Sequence, residues 1–300
     1  MKILVAGGTG FLGRYITRAL LDDGHEVTVL SRRPELAASI PQLRGASSVK
    51  GDVTTPRTLT GTMDGADAVV GAVQFPNHPV EVPRKGLTYD HFDRLGTERL
   101  LDAAKEAGVD HYFYVSGAGA TPFSDRSWYR AKGRAEESIR GSGLAYAILR
   151  PSWAYGPEDK ALNKLVKIAR FSPVVPRLGF GSQRIQPVFA GDIGRAAAEI
   201  FKQDAWGRTF EIGGPDILTM DEVIKTMLSV SGRRRLVVPL PATLAKVGTL
   251  PLTLLPRPFM TPQGIEFAIQ DGVVDNSAIE SLGVQPMSLE EGLHYLRRGR

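Results

Sequence analysis

Ile3-Leu4-Val5-Ala6-Gly7-Gly8-Thr9-Gly10-Phe11-Leu12-Gly13 sets a four-residue apolar run against a glycine-rich turn, and the turn against an amphipathic stretch reaching Asp23. An apolar run that short, ended by glycine, reads as a buried strand, and Phe11 to Asp23 reads as a helix. The glycines suit the junction. Gly7 permits the tight turn, Gly10 lets a pyrophosphate approach backbone N–H groups at the positive helix terminus, and Gly13 lets helix and strand lie close together. The stretch predicts dinucleotide binding by Gly7, Thr9, Gly10, Phe11, Leu12 and Gly13, with a merely structural turn as the weaker alternative.

Outward from this turn, short apolar runs alternate with helical patterns: Val27 to Leu30, Ala68 to Val73, a helix from about His91 to Ala107, His111 to Val115, a helix from about Trp128 to Gly141, and Leu144 to Leu149. Near-continuous apolar strands between helices predict an α/β fold, a doubly wound parallel sheet of Rossmann type. Past Arg150-Pro151 the prolines become more frequent and the strands less clean. Helical patterns persist near Asp159 to Arg170, Asp192 to Lys202 and Met220 to Val230, and Ser288-Leu289-Glu290-Glu291 reads as a capped helix start. The expected division is residues 1–157, with about 184–213, as the NADP(H)-binding domain. About 158–183 and 214–300 would form a smaller C-terminal α/β lobe for a substrate or partner. No internal repeat or low-complexity tract interrupts it.

Three hundred residues are enough to bury a core without disulfides or structural metal. The chain is 42% hydrophobic and 23% charged, an ordinary globular composition. It holds no cysteine, which removes disulfides, thiolate metal sites and thiol nucleophiles. The excess of 37 basic over 32 acidic residues reads as spread along the chain apart from Arg32-Arg33 and Arg233-Arg234-Arg235, so no nucleic-acid partner is expected. Histidines 25, 78, 91, 111 and 294 lack ligand spacing and the acid pairs are adjacent, so no metal site is expected. The first apolar run is too short for a secretory leader, which suggests a cytoplasmic protein. Leu236 to Leu255 carries Pro239, Pro241, Pro251 and Lys246, which argues against a membrane-spanning helix. With Leu250 to Phe259 it reads either as core of the smaller lobe or as an apolar surface rimmed by Arg233-Arg234-Arg235. Such a surface would accept a lipophilic substrate, a protein partner or the membrane periphery.

A carboxylate after the second strand would hold the adenosine ribose of NAD, but that strand ends Leu30-Ser31-Arg32-Arg33. A hydroxyl and two guanidiniums favour the 2′-phosphate of NADP over NAD, the alternative being a solvated basic loop. Asp52 and Val53 of Gly51-Asp52-Val53 are candidates for the adenine, or for a simple turn. Ala72 and Val73, ending the next strand, and Pro151, after the sixth, complete the expected cofactor contacts.

Gly7 to Gly13, Gly51-Asp52-Val53, Gly96-Thr97-Glu98-Arg99-Leu100-Leu101-Asp102-Ala103-Ala104, Tyr114-Val115-Ser116 and Leu149-Arg150-Pro151-Ser152-Trp153-Ala154-Tyr155-Gly156-Pro157 together resemble the extended and atypical short-chain dehydrogenase/reductase superfamily, the NAD-dependent epimerase/dehydratase group. The segment from Val273 to Leu293 resembles the branch that contains the nucleotide-binding accessory subunit of mitochondrial complex I. The resemblance implies a Tyr-x-x-x-Lys pair, whose members share a helix face. Lys132 fills the lysine position, binding the nicotinamide ribose, but Trp128 stands in the tyrosine position and cannot serve as acid or base near neutral pH. Tyr129 is the candidate substitute, or an ordinary amphipathic-face residue. The superfamily's Ser or Thr aligns with Gly117, leaving Ser116 one residue short as a candidate or as a strand cap. Trp153 and Tyr155 would wall the cleft or fill the core, and Asp192 would cap a helix.

Two functions follow. One is an NADP(H)-dependent oxidoreductase on a small or lipophilic substrate, with Lys132, Tyr129 and Ser116 as its catalytic candidates. The other is a catalytically inactive cofactor-binding protein with a structural, assembly or sensing role. The breadth of enzymes in the superfamily puts the first slightly ahead. Sugar-nucleotide epimerisation is disfavoured because it leans on the missing tyrosine.

Overall fold

The computed structural model describes residues 1–179, 181–255 and 261–297. Its centre is a seven-stranded sheet: β1 (Lys2–Ala6), β2 (Glu26–Ser31), β3 (Ser47–Lys50), β4 (Ala68–Gly71), β5 (His111–Val115), β6 (Ala145–Pro151) and β7 (Arg208–Ile212). All are parallel, in the order β7-β6-β5-β4-β1-β2-β3. The order reverses between β1 and β4, and a crevice for ligands opens beyond the carboxyl ends of strands at such a switch point.

Alternation along each strand sends side chains to both faces, and helices cover both. Ile3 and Val5 pack with Val70, Phe113 and Leu149 against α1 (Phe11–Asp22) and α5 (Ala190–Lys202), through Ile16, Leu20, Ile193 and Ile200. Leu4 and Ala6 face the opposite way, with Val69, Tyr112 and Ile148, under α2 (Leu95–Glu106) and α3 (Ser127–Arg140). The doubly wound parallel sheet is therefore the fold, as the alternating pattern requires.

The smaller C-terminal lobe contains α4 (Ala161–Phe171), α6 (Met220–Val230) and the parallel pair Val174–Leu178 with Leu236–Leu240. They enclose Tyr155, Leu162, Val175, Val223, Ile224 and Met227. A capping box at Ser288 and Glu291 starts the short helix Leu289–Gly292, as Ser288-x-x-Glu291 signals. Ile279, Leu282 and Val284, which the expected division gives to this lobe, pack instead in the core under the sheet.

Three local readings change. The helix expected from His91 opens with a π-turn at Asp90–Arg94 before α2, which turns Asp93 fully inward. Asp192 is no helix cap: Phe189 occupies that position. The buried Asp192 carboxylate instead accepts the Met287 N–H at 2.8 Å and pairs with Arg195 at 2.6 Å, fastening the C-terminal segment to α5. Third, Leu236–Leu240 is a strand and Ala242–Thr249 a helix, yet most of their large aliphatic side chains face solvent, so the reading as lobe core fails. Pro256 to Phe259 of that stretch lie outside the described residues. Among the described residues no helix is long and apolar enough to cross a membrane.

Candidate cofactor and active site

The glycine turn is cut to admit backbone and nothing larger. Gly7 has φ +86°, and a Cβ there would stand 2.5 Å from the Ala72 carbonyl oxygen and 2.9 Å from the Val73 nitrogen. The turn is thus pressed on the strand end carrying two further expected contacts, Ala72 and Val73. A Cβ at Gly10 would lie 2.9 Å from the Gly7 carbonyl, and one at Gly13 would overlap the same oxygen. Gly10 begins α1 with no side-chain cap, and no acidic residue stands in the first turn. The N–H groups after it are therefore available to an anion at the positive end of the helix. Thr9 and Phe11 are half-buried at this turn, and Leu12 packs partly onto the core of the sheet.

Arg14 braces the turn. Its guanidinium donates to the carbonyls of Gly10 and Thr9, both at 3.0 Å, and approaches Glu158 at 3.7 Å. Glu158 also accepts from Tyr15 at 2.6 Å and from Gln42 at 2.8 Å. Burial, with the neighbouring carboxylate, holds the Tyr15 phenol well above its ordinary range. Sequence reasoning missed this brace because its members are 143 and 116 residues apart, and only Arg14 lies near the motif.

Ser31 ends β2, and its Oγ accepts the Arg33 N–H at 3.2 Å. Arg32 and Arg33 are exposed beside it. Asp52 forms a turn: one carboxylate oxygen accepts from the Thr54 N–H at 2.9 Å and from its hydroxyl at 2.8 Å. Its other oxygen is left for a ligand, so the turn and the adenine contact are compatible. Val53 is buried against Gly96 and α2, where it shapes the wall rather than meeting solvent.

Lys132 is only 3% exposed, and its ammonium pairs with Asp93 at 3.1 Å and donates to the Val115 carbonyl at 3.0 Å. It also lies 5.0 Å from the centroid of the Tyr114 ring. Two of its three donors are thereby engaged. Burial pushes the Asp93 carboxyl up, while Lys132 and the Phe75 N–H at 3.0 Å pull it back. The pair holds the lysine stem in one position under the cleft.

Around Lys132 the expected proton donors are diverted or absent. Ser116 donates to Glu136 at 2.6 Å, inside a network where Arg150 reaches Glu136 at 2.6 Å and Arg140 at 2.8 Å. The hydroxyl of Ser116, the catalytic candidate, is thus engaged by an internal carboxylate. Tyr129 donates to Gln270 at 2.6 Å, and burial raises its pKa. Trp128 lies over Gly117, where a Cβ would meet the indole at 2.5 and 2.8 Å. Its ring packs at 4.7 Å from Tyr129, 5.4 Å from Phe267 and 6.3 Å from His78. The result is an aromatic wall.

His78, a residue that sequence reasoning set aside, accepts or shares a proton with Tyr89 at 2.7 Å. Burial, with Lys132 and Lys160 nearby, pulls its pKa down to about 4, so it is neutral at physiological pH. Pro151 ends β6, and its carbonyl accepts the Ala118 N–H at 2.9 Å, tying the backbone beyond Gly117 to the edge of the cleft. Tyr155 is fully buried in the smaller lobe against Gly292 and does not line the cleft, whereas Trp153 is half-buried beside the same core.

An NAD(P)H-binding family model matches residues 7–172, more than half of the chain. The Mus musculus NADH dehydrogenase [ubiquinone] 1 alpha subcomplex subunit 9, mitochondrial, is 30% identical over 99% of this chain and 80% of that protein. A ceramide reductase of Caulobacter vibrioides is 31% identical over 59% of this chain and 53% of that enzyme. Among solved structures, a Bacillus cereus UDP-glucuronic acid 4-epimerase in complex with NAD superposes with TM-score 0.76 at 19% identity, covering 98% of this chain and 96% of that one. That likeness concerns the fold. The chain belongs to the NAD(P)H-binding family, is related to subunit 9, and shares its fold with the epimerase.

Proposed function

We propose that this member of the NAD(P)H-binding family holds NADP(H) as a resident structural or sensing ligand and does not turn it over. The observation that carries the reading is the fit of Trp128 onto Gly117, where a Cβ would come within 2.5 Å of the indole. The superfamily's tyrosine and serine would stand at these two positions, so one indole fills the space of both. A bound nicotinamide supplies a hydride, and a carbonyl that accepts it also needs a proton at its oxygen. Trp128 offers a hydrogen bond but no titratable proton near neutral pH. The Tyr129 hydroxyl is spent on Gln270 and that of Ser116 on Glu136.

The remaining residues suit binding. The glycine turn and uncapped α1 receive the pyrophosphate, and Lys132 keeps one donor for a ribose hydroxyl. Ser31, Arg32 and Arg33 favour the 2′-phosphate of NADP. A structural role accords with a relative that is named as a subunit of a larger complex.

The likeness to a ceramide reductase motivates a second reading, an oxidoreductase on a lipophilic ketone with Tyr129 as proton donor. Tyr129 would first have to leave Gln270. The test is to load the protein with NADPH, add long-chain 3-oxo compounds and follow nicotinamide fluorescence. The proposal expects NADPH to raise the melting temperature and to remain reduced. Oxidation that slows about 100-fold in Tyr129→Phe, the scale of a general acid, would establish the oxidoreductase instead.

A further inference from the structure

The pair Val174–Leu178 with Leu236–Leu240 carries a surface that the cofactor site does not use. Leu236, Val238 and Leu240 share one face of their strand, while Val237 turns inward onto the lobe core. The helix Ala242–Thr249 buries none of its residues, and its Leu244 and Val247 lie one turn apart on the outside. With Leu250 and Leu255, these side chains are 36% to 65% exposed. Seven of the thirteen large hydrophobic side chains exposed among the described residues therefore fall within residues 236–255. Phe171, 76% exposed, ends α4 just before the partner strand.

The charges around this face are predominantly basic; Glu266, paired with Lys246 at 2.7 Å, and Asp221, paired with Arg177 at 2.8 Å, neutralise two of the cations. Residues 160–191 and 223–255 contain eleven of the chain's 37 basic residues and none of its 32 acidic ones. The rest of the chain holds 26 basic against 32 acidic residues, so the basic excess lies in these two segments and is not spread along the chain as first read. The two acid-free segments are joined by the Leu236↔Val174 register and by Arg235 donating to the Ala169 carbonyl at 2.8 Å. Lys164, Lys167, Arg170 and Arg234 are exposed around the aliphatic face.

We propose that this face docks on the surface of an anionic lipid bilayer, with the Leu and Val side chains entering the acyl boundary and the Lys and Arg side chains at the headgroups. Protein interfaces concentrate aromatic anchors at a core depleted of charge. Here short, proline-punctuated elements present aliphatic tips inside a cationic rim, the arrangement of an interfacial lipid-binding surface.

The test uses the whole chain and flotation with phosphatidylcholine vesicles, with or without phosphatidylglycerol, at low and high salt. The expected result is binding that needs the anionic lipid and weakens with salt. Lys167→Glu/Arg234→Glu should lower partition by about 30-fold or more, at the usual contribution per charge. Leu244→Glu/Val247→Glu should abolish binding, and both variants should melt and bind NADPH as the wild type does. No binding, equal binding to neutral vesicles, or retained binding in the Leu244→Glu/Val247→Glu variant would overturn the proposal. Capture of the protein by soluble poly-glutamate as tightly as by vesicles would point to an acidic protein partner and overturn it equally.

Discussion

Placing serine at position 117 tests whether Gly117 and Trp128 form one packing unit. A Cβ there would sit 2.5 Å from one indole carbon and 2.8 Å from another. Carbon atoms prefer about 3.5 to 4.0 Å, so the overlap is close to an ångström. The backbone cannot easily retreat, because the Ser116 N–H bonds the Leu149 carbonyl at 2.8 Å and the Ala118 N–H bonds the Pro151 carbonyl at 2.9 Å. Nor can the indole, which is backed by Phe267 and Tyr129. Overpacking of this kind costs about 1 to 3 kcal/mol, and the clamped backbone puts Gly117→Ser in the upper part of that range. Trp128→Tyr removes the clashing atoms but leaves a small cavity, at about 1 to 2 kcal/mol. In the double variant each change relieves the other, so its cost should fall short of the sum by about 2 kcal/mol. Urea unfolding followed by circular dichroism measures all four corners of the cycle. A Gly117→Ser variant as stable as wild type, or costs that simply add, would refute the packing argument.

Other outcomes follow from the same geometry. Arg32→Ala/Arg33→Ala should weaken NADPH about tenfold or more, at about 1.5 to 3 kcal/mol for a charged contact, and leave NADH unchanged; equal losses for both by fluorescence titration would remove the 2′-phosphate role. Lys132→Met strands a buried carboxylate and should destabilise by about 3 to 5 kcal/mol, with Lys132→Met/Asp93→Asn recovering much of the loss; thermal melts that show no recovery would contradict the pairing. His78 binds its proton near pH 6.5 when unfolded but only near about 4 when folded. Its contribution is therefore intact above about pH 6.5 and drains away as pH falls towards 4, by at most about 3 kcal/mol. His78→Gln should flatten the melting temperature across that window, and superimposable profiles would exclude His78 as the source.

The sheet was legible because apolar strands and amphipathic helices carry different periods, and the glycine turn because φ and close approach restrict Gly7, Gly10 and Gly13 to a residue without Cβ. The catalytic region was less so. Trp128 is visible as an odd residue beside Lys132, but nothing local says that its ring would lie over Gly117. The Asp93 partner of Lys132 sits on a π-turn that an ordinary helical pattern hides, and Gln270 comes from 141 residues away to accept the Tyr129 hydrogen bond. Asp192 looked like a cap because aspartate at a helix start usually is one, whereas the Met287 N–H, 95 residues later, claims its carboxylate. The apolar stretch from Leu236 was ambiguous because composition does not distinguish core from exposed surface. Its exposure follows from which elements pair, a property of the whole lobe.

The central claim is that the cofactor is bound without a proton donor beside its reactive carbon. A crystal structure with NADPH measures this directly. The account predicts the dinucleotide in the Gly7–Gly13 turn, Tyr129 still on Gln270, and no hydroxyl of the protein within about 3.2 Å of a carbonyl oxygen poised over nicotinamide C4. A Tyr129 hydroxyl released from Gln270 and turned into that space would contradict it.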